Sequence, residues 1–325
     1  MLIRRIGIVI AALFLLQSTL LAVYQYKGDF TEDGKLNITD VIKFLLIGRD
    51  NPEDERLDFN HDGEKNVSDV ISLLLYISTN LSLEPVELTV KIIFLHHSTG
   101  NNIWNGGVPK WFEQFNAENS TNCLISERFF PSGSLYPWNN YPYDYWNIWV
   151  NHAGNELYMQ EPTLEILTRQ YAVIIFKHCF PVSNILADTG NPDISSSAKR
   201  IENYKLQYEA LKTKIREYPQ NKFIVWTGAA LVIDGTNQAN AERAKTFFNW
   251  VREEWDEKGD NVFLWDFYQL ETEGDLCLKT EYAVSSTDSH PNTSFSSMVA
   301  PLFCRRIVDV IKGLGDDRPI TGEPE

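Results

Sequence analysis

The chain has 325 residues and a formal charge of −15, with 43% hydrophobic and 22% charged residues. So acidic a chain is a poor partner for nucleic acid or an anionic membrane, because like charges repel along the whole surface. The composition is that of a globular protein with enough apolar material for a large core.

Arg4 and Arg5 precede an apolar run from Ile6 to Leu16, followed by Gln17, Ser18, Thr19 and Leu20-Leu21-Ala22. A charged start and a short apolar core read as a signal peptide over residues 1–22, and so as a secreted protein. The Ala-x-Ala cleavage pattern is poor, which leaves an uncleaved anchor as the competing reading. Loss of Arg4 and Arg5 would leave the mature chain still more acidic.

Two copies of one acidic loop follow, 29 residues apart. The first holds Asp29, Thr31, Asp33, Gly34, Lys35, Asn37 and Asp40; the second holds Asp58, Asn60, Asp62, Gly63, Glu64, Asn66 and Asp69. Both place oxygen side chains at loop positions 1, 3, 5, 9 and 12, Gly at position 6, and a residue at position 7 (Lys35, Glu64) that offers its backbone carbonyl. A hard cation such as calcium needs six to eight converging oxygens in this order. Two structural calcium ions are therefore expected. Each loop leads into one apolar helix pattern, Val41-Ile42-Phe44-Leu45-Leu46 and Val70-Ile71-Leu73-Leu74-Leu75, and no helix pattern of EF-hand type precedes either loop. Residues 23–82 carry 12 acidic and 6 basic side chains, an excess that bound calcium would offset.

These duplicated loop-helix units resemble a type I dockerin, over residues 28–80 within a segment 24–82. The resemblance implies a small all-α calcium-binding module and a partner: the cohesin module of a scaffolding or cell-surface protein. Dockerin recognition residues sit at loop positions 10 and 11, here Ile38-Thr39 and Val67-Ser68. Their near-identity implies that either helix can face the partner.

A linker, residues 83–89, leads into a segment 90–314 in which strand and helix patterns alternate. Val90–Leu95, Ala172–Phe176, Phe223–Trp226 and Val262–Trp265 are short apolar runs of the kind a strand covered on both faces requires. Ile201, Tyr204, Tyr208, Leu211 and Ile215 repeat at helical spacing, as do Ala244, Phe247, Val251 and Trp255 behind a Thr236-Asn237 start signal. A last helix is expected from about Phe295 to Lys312, with a flexible tail over 315–325. This order predicts an α/β fold with a parallel sheet covered on both faces, and chemistry at the carboxyl ends of its strands.

Three motifs occupy such positions: His96-His97-Ser98-Thr99-Gly100-Asn101-Asn102, Lys177-His178-Cys179-Phe180-Pro181-Val182-Ser183-Asn184, and Thr287-Asp288-Ser289-His290-Pro291-Asn292. A Ser after the first strand and an Asp-x-His-Pro before the last helix have the layout of a serine hydrolase, with Ser98 as nucleophile, His290 as acid-base and Asp288 as its orienting carboxylate. On these residues the chain resembles the SGNH (GDSL-like) hydrolases. The resemblance implies a three-layer flavodoxin-like fold and ester hydrolysis. It departs from the family in having His96-His97 before the nucleophile, Asp two rather than three residues before the His, and Lys177-His178-Cys179 in place of a Gly-x-Asn block. Gly133, Lys177 and Asn184 are the candidate oxyanion donors.

Cys123, Cys179, Cys277 and Cys304 allow three disulfide pairings in an exported protein, and no Cys-x-x-Cys suggests zinc. Cys179 reads more readily as a buried thiol or a disulfide half than as a nucleophile. His96 and His97 point to opposite sides of a strand, so one belongs to the core or supports the site. Phe129–Trp149 is crowded with rings and shows no period, which predicts a long ordered loop. Its rings either pack onto the domain or, with Trp104, Trp111 and Trp138 exposed, stack on sugars. Together the two resemblances suggest a carbohydrate esterase that deacetylates a glycan within a cohesin-containing assembly. A non-catalytic glycan-binding or scaffold protein is the alternative. A lipid esterase would need an apolar lid that the sequence does not show.

Overall fold

The computed structural model describes residues 28–31, 36–80, 89–137 and 139–324. The expected signal peptide, linker residues 83–88, Asp33, Lys35 and Trp138 lie outside them, while Thr89, also expected in the linker, opens the first strand. The chain divides into two compact units, one up to Val86 and one from Glu87.

The first unit is built on helices α1 (Ile38–Asp50) and α2 (Val67–Asn80). Asn37 caps α1: its side chain accepts from Thr39 N, while Asp40 reaches back to Asn37 N at 2.8 Å. The second copy repeats this, with Ser68 N donating to Asn66 Oδ1 at 2.7 Å and Asn66 N to Asp69 Oδ2 at 2.8 Å. Loop positions 9 and 12 are thus also the N-cap and third residue of a capping box. Phe30, Val41, Phe44, Leu57, Phe59, Leu73 and Ile77 form the small core.

The second unit contains one five-stranded sheet: β1 (Thr89–His96), β2 (Asn122–Phe129), β3 (Val173–Phe176), β4 (Lys222–Trp226) and β5 (Val262–Trp265). Every pairing is parallel and the order is β2-β1-β3-β4-β5. This is the flavodoxin-like doubly wound order, whose direction reverses between β1 and β3. Ile93, Leu95, Ile174, Phe176, Val225 and Leu264 pack into one buried layer, and Ile92, Phe94, Ile175, Ile224, Trp226 and Trp265 into the other. Alternate residues of each strand therefore bury on opposite faces, so the strands read as unbroken apolar runs. β2 escapes that pattern. It lies at one edge, pairs only with β1 and carries Ser126, Glu127 and Arg128, so the sequence reading missed it.

Helices α3 (Thr99–Asn105), α4 (Val108–Asn119) and α10 (Thr293–Ile311) cover the layer around Phe94 and Trp226. The other layer is covered by α5 (Pro142–Trp146), α6 (Leu164–Gln170), α7 (Ile201–Ile215) and α8 (Gln238–Trp250), with α9 (Phe267–Thr272) following β5. α8 starts at an Asn37-like cap, Asn237 accepting from Asn240 N at 3.0 Å, and runs on as a wider turn to Trp255.

Two expectations change here. The aromatic segment contains helix α5 and a further wide turn, Asn147–Asn151, rather than a loop throughout. Tyr141, Tyr145, Ile148 and Trp149 are buried at helical spacing, and Phe130, Tyr136 and Trp146 are buried with them. These rings are core. The tail also packs. Asp266 N donates to Ile320 O at 2.9 Å, the Trp265 indole to Thr321 O at 2.9 Å, and the buried Arg306 to Gly315 O at 2.6 Å. Buried donors need acceptors, and residues 315–321 supply them.

All four cysteines are free thiols; Cys123, Cys179 and Cys304 are buried and Cys277 partly so. No described helix is long and apolar enough to cross a membrane.

Candidate active site

β1 ends at His96, and the chain turns sharply into α3 through Ser98. Ser98 has φ 47° and ψ −101°, a conformation uncommon for a residue with a Cβ. The turn is held from both ends: Gly100 N donates to His97 O at 2.8 Å and Asn102 N to Ser98 O at 3.2 Å. Gly100 is required here, because a Cβ would meet His96 Cβ at 2.5 Å. The result lifts the Ser98 hydroxyl off the carboxyl end of β1.

The histidine arrives on a small folded arm. Ala283 and Pro291 form an antiparallel bridge, Val284 N donates to His290 O at 2.8 Å, and Asn292 N to Tyr282 O at 2.8 Å. Asn292 then caps α10 by accepting from Phe295 N at 2.9 Å. Asp288 sits in a tight turn, its N donating to Ser285 Oγ at 3.0 Å. Buried Ser289 pins the arm to the segment after β4 by accepting from Val232 N at 3.0 Å.

These two pieces meet. Ser98 Oγ is hydrogen-bonded to His290 Nε2, and His290 Nδ1 to Asp288 Oδ1 at 2.6 Å. The same Asp288 oxygen accepts from His290 N at 3.0 Å. That double use explains why a spacing of two residues suffices: the carboxylate folds back over its own turn onto the ring. The bonds from His290 hold the Asp288 carboxyl below its ordinary range. The His290 and Asp288 side chains are 35% and 46% exposed, so the relay faces solvent and is open to a substrate. A hydroxyl bonded to an imidazole that a carboxylate orients can pass its proton to the ring and attack an acyl carbon.

Neighbouring residues fix the relation of the two pieces. Asn102 Nδ2 donates to Pro291 O at 2.9 Å, tying α3 to the arm. At Gly106 a Cβ would lie 2.4 Å from Ser296 O, so α3 and α10 touch through backbone. The Phe180 ring meets the His290 ring edge-on at 5.3 Å. None of Asn102, Gly106 or Ser289 was singled out as a site residue from the sequence. The Asn and Gly at the end of a nucleophile turn were the available signal.

The three candidate oxyanion donors differ in their surroundings, and a donor of this kind would face a substrate oxygen rather than Ser98 or His290. Gly133 lies in an exposed turn, φ 79°, that Ser132 N holds to Glu161 at 2.6 Å. Asn184 is exposed and its Oδ1 accepts from Asn240 Nδ2 at 2.5 Å. Lys177 is fully buried, its Nζ 3.4 Å from His97 O and 3.6 Å from Cys179 Sγ.

Both His96 and His97 are buried. His96 Nε2 lies 2.8 Å from Glu127. Burial, aided by nearby Lys177, pushes His96 down to about 3, so this is a hydrogen bond from a neutral ring and not an ion pair. His97 bonds Pro131 O at 2.5 Å and stacks on Phe129. His178 is buried among Tyr145, Phe176 and Tyr208 and is held well below its ordinary range by burial. The expected exposed rings Trp104 and Trp111 are partly buried against the core, Trp111 stacked on Phe115 at 5.2 Å.

In the first unit, Asp58 accepts from Asp62 N at 3.0 Å and Gly63 N at 3.1 Å, closing the second loop around Gly63 at φ 88°. Asp69 and Asp40 are fully buried, each accepting backbone N–H groups from both ends of its loop. Asp58, Asn60, Asp62 and Asp69 supply the all-oxygen donor chemistry that suits calcium. Among the described residues, however, no group of three or more His, Cys, Asp or Glu side chains converges as a metal site. Asn60 Nδ2 donates to Asp62 at 2.8 Å across the second loop.

No protein-family model matches the chain, and no curated protein matches it. Among solved structures, a gut microbial diltiazem-metabolizing enzyme is similar at 12% identity and a TM-score of 0.41, over 71% of this chain and 48% of that one. The chain thus spans about half of that enzyme, and a likeness of this degree assigns no function.

Proposed function

We propose that the large unit is an SGNH-like serine hydrolase that cleaves esters, with an acetylated glycan as substrate. One observation carries this reading: Ser98, His290 and Asp288 form a continuous hydrogen-bonded relay at the carboxyl end of a parallel sheet. Ser98 attacks the acyl carbon as His290 Nε2 takes its proton. His290 returns the proton to the leaving alcohol, and a water repeats the sequence to free the acid. Asp288 keeps the Nδ1 proton in place and offsets the charge on the ring.

The first unit is proposed as a calcium-dependent dockerin that docks a secreted enzyme onto a cohesin. Its helices support this. Ile38, Ile42, Leu45 and Leu46 of α1 are 40–62% exposed, and Val67, Ile71, Leu74 and Leu75 of α2, each 29 residues later, are 42–71% exposed. Eight apolar side chains left open in a repeated pattern suit a protein partner. The second reading, a glycan-binding protein without chemistry, is favoured by one fact: Lys177-His178-Cys179 stands where the SGNH pattern has its Gly-x-Asn block, and all three side chains are buried.

The test uses the full chain. Acetate release is measured on acetylated xylan, pectin and chitin oligomers and on an aryl acetate, alongside labelling of Ser98 by a fluorophosphonate. Turnover that vanishes in Ser98→Ala supports the hydrolase. No turnover and no labelling, with retained glycan binding, selects the second reading.

A further inference from the structure

Lys177 is a cation sealed beneath the nucleophile turn, and the proposed chemistry leaves it without a role. Its backbone is fixed on both sides: N donates to Leu95 O at 3.2 Å, and O accepts from the Tyr145 hydroxyl at 2.9 Å. The side chain therefore leaves β3 from a rigid point and ends at His97 O, 3.4 Å, and Cys179 Sγ, 3.6 Å. A buried ammonium is costly unless a carboxylate matches it. Glu271 is equally buried and near enough to act on it, yet the two form no ion pair within 4.0 Å, and Glu271 instead accepts from Ala230 N at 2.6 Å. His96, His97 and His178, which also feel the lysine, are each pushed down by burial. The polar groups that hold the ammonium are thus a carbonyl and a thiol.

That carbonyl is the one preceding Ser98, and it already accepts Gly100 N at 2.8 Å. Two donors converge on the peptide that enters the strained residue. We propose that Lys177 is the positioning residue of the nucleophile turn, clamping the His97 carbonyl so that the Ser98 hydroxyl stays on His290. This rests on the serine-hydrolase reading for its consequence, but the clamp itself is a structural claim. Burial lowers the basicity of Lys177, with Cys179 and Glu271 acting in the opposite direction. The clamp is then expected to loosen on the alkaline side, as the ammonium loses its proton and its hold on the carbonyl weakens.

The variant is Lys177→Met, which keeps an unbranched stem and removes the charge. The Ser98 labelling rate should fall by about 10–100-fold, as expected for a misplaced nucleophile, with KM for an aryl acetate changed less than about twofold. The alkaline limb of the wild-type labelling profile should be absent. The ring-proton resonance of His290 and a crystal structure of Lys177→Met report on the clamp without any activity, and should show the Ser98–His290 bond lost. Wild-type labelling rate in the folded variant, or an unchanged Ser98 conformation and His290 resonance, overturns the proposal. Should Lys177→Met not fold, the wild-type protein decides: its His290 ring-proton resonance, followed to alkaline pH, should show a transition as the ammonium under His97 O loses its proton, and a resonance without one overturns the clamp. A wild-type protein that is never labelled defeats the hydrolase reading alone, since the resonance and the structure still judge Lys177.

Discussion

Asp288 offers a sharp test because its geometry differs from that of a buried triad acid. One oxygen, Oδ1, accepts both the His290 ring at 2.6 Å and the His290 backbone N–H at 3.0 Å. In Asp288→Asn the backbone N–H still demands an acceptor, which fixes the amide with its oxygen in that place. The same oxygen then still accepts from Nδ1, and the ring keeps the tautomer that leaves Nε2 free for the serine. What is lost is charge, and Asp288 is 46% exposed. A unit charge acting over about 4 Å in a water-like medium is worth ~1 kcal/mol, or several-fold in rate. Asp288→Ala removes charge and acceptor together, freeing the ring to rotate or change tautomer, and should cost about 10²–10³-fold, within the usual range for acid-base catalysis. The assay is kcat on an aryl acetate for the three proteins at neutral pH. Asp288→Asn as damaged as Asp288→Ala, or more so, would refute the idea that the shared oxygen sets the ring.

Gly106→Ala should drive α3 from α10, since its Cβ would sit 2.4 Å from a backbone oxygen. A loss of about 1–3 kcal/mol in denaturant unfolding is expected, with a disproportionate fall in activity; unchanged stability would contradict the close packing. Calcium should stabilise the first unit by ~2.7 kcal/mol at 100 times its dissociation constant, and Asp58→Ala should weaken this, read by calorimetry of the full chain with calcium and with chelator. Identical melting in both would remove the metal. Burial raises Asp144 to about 6 against the opposing bonds from Asn139 N and Asn140 N. A carboxyl raised above its unfolded value binds its proton more readily in the native state, so stability falls as pH rises from about 4 to about 6 and stays lowered above that. Asp144→Asn keeps the acceptor and should flatten this part of the stability-pH curve; a curve of unchanged slope would count against the assignment.

The sheet was readable because β1, β3, β4 and β5 are buried on both faces, which writes an unbroken apolar word for each. β2 was not, because an edge strand with Glu127 and Arg128 obeys no such rule. The aromatic segment was misread for a related reason: Tyr141, Tyr145, Ile148 and Trp149 do repeat helically, but prolines and neighbouring rings mask the period. At the site, Ser98, His290 and Asp288 were visible as residue types at strand and helix ends, whereas Lys177 was placed correctly along the chain and wrongly in depth. Sequence puts it at the mouth of β3; only the packing of Tyr145 and Cys179 around it shows that the ammonium turns inward under His97. The acidic loops pose the reverse problem. Asn37 with Asp40, and Asn66 with Asp69, satisfy a helix cap and a calcium loop with the same atoms. The sequence pattern alone does not separate these two uses. Asp58 lies outside the cap and accepts from Asp62 N and Gly63 N within the loop, so an effect of calcium that disappears in Asp58→Ala belongs to the ion and not to the helix.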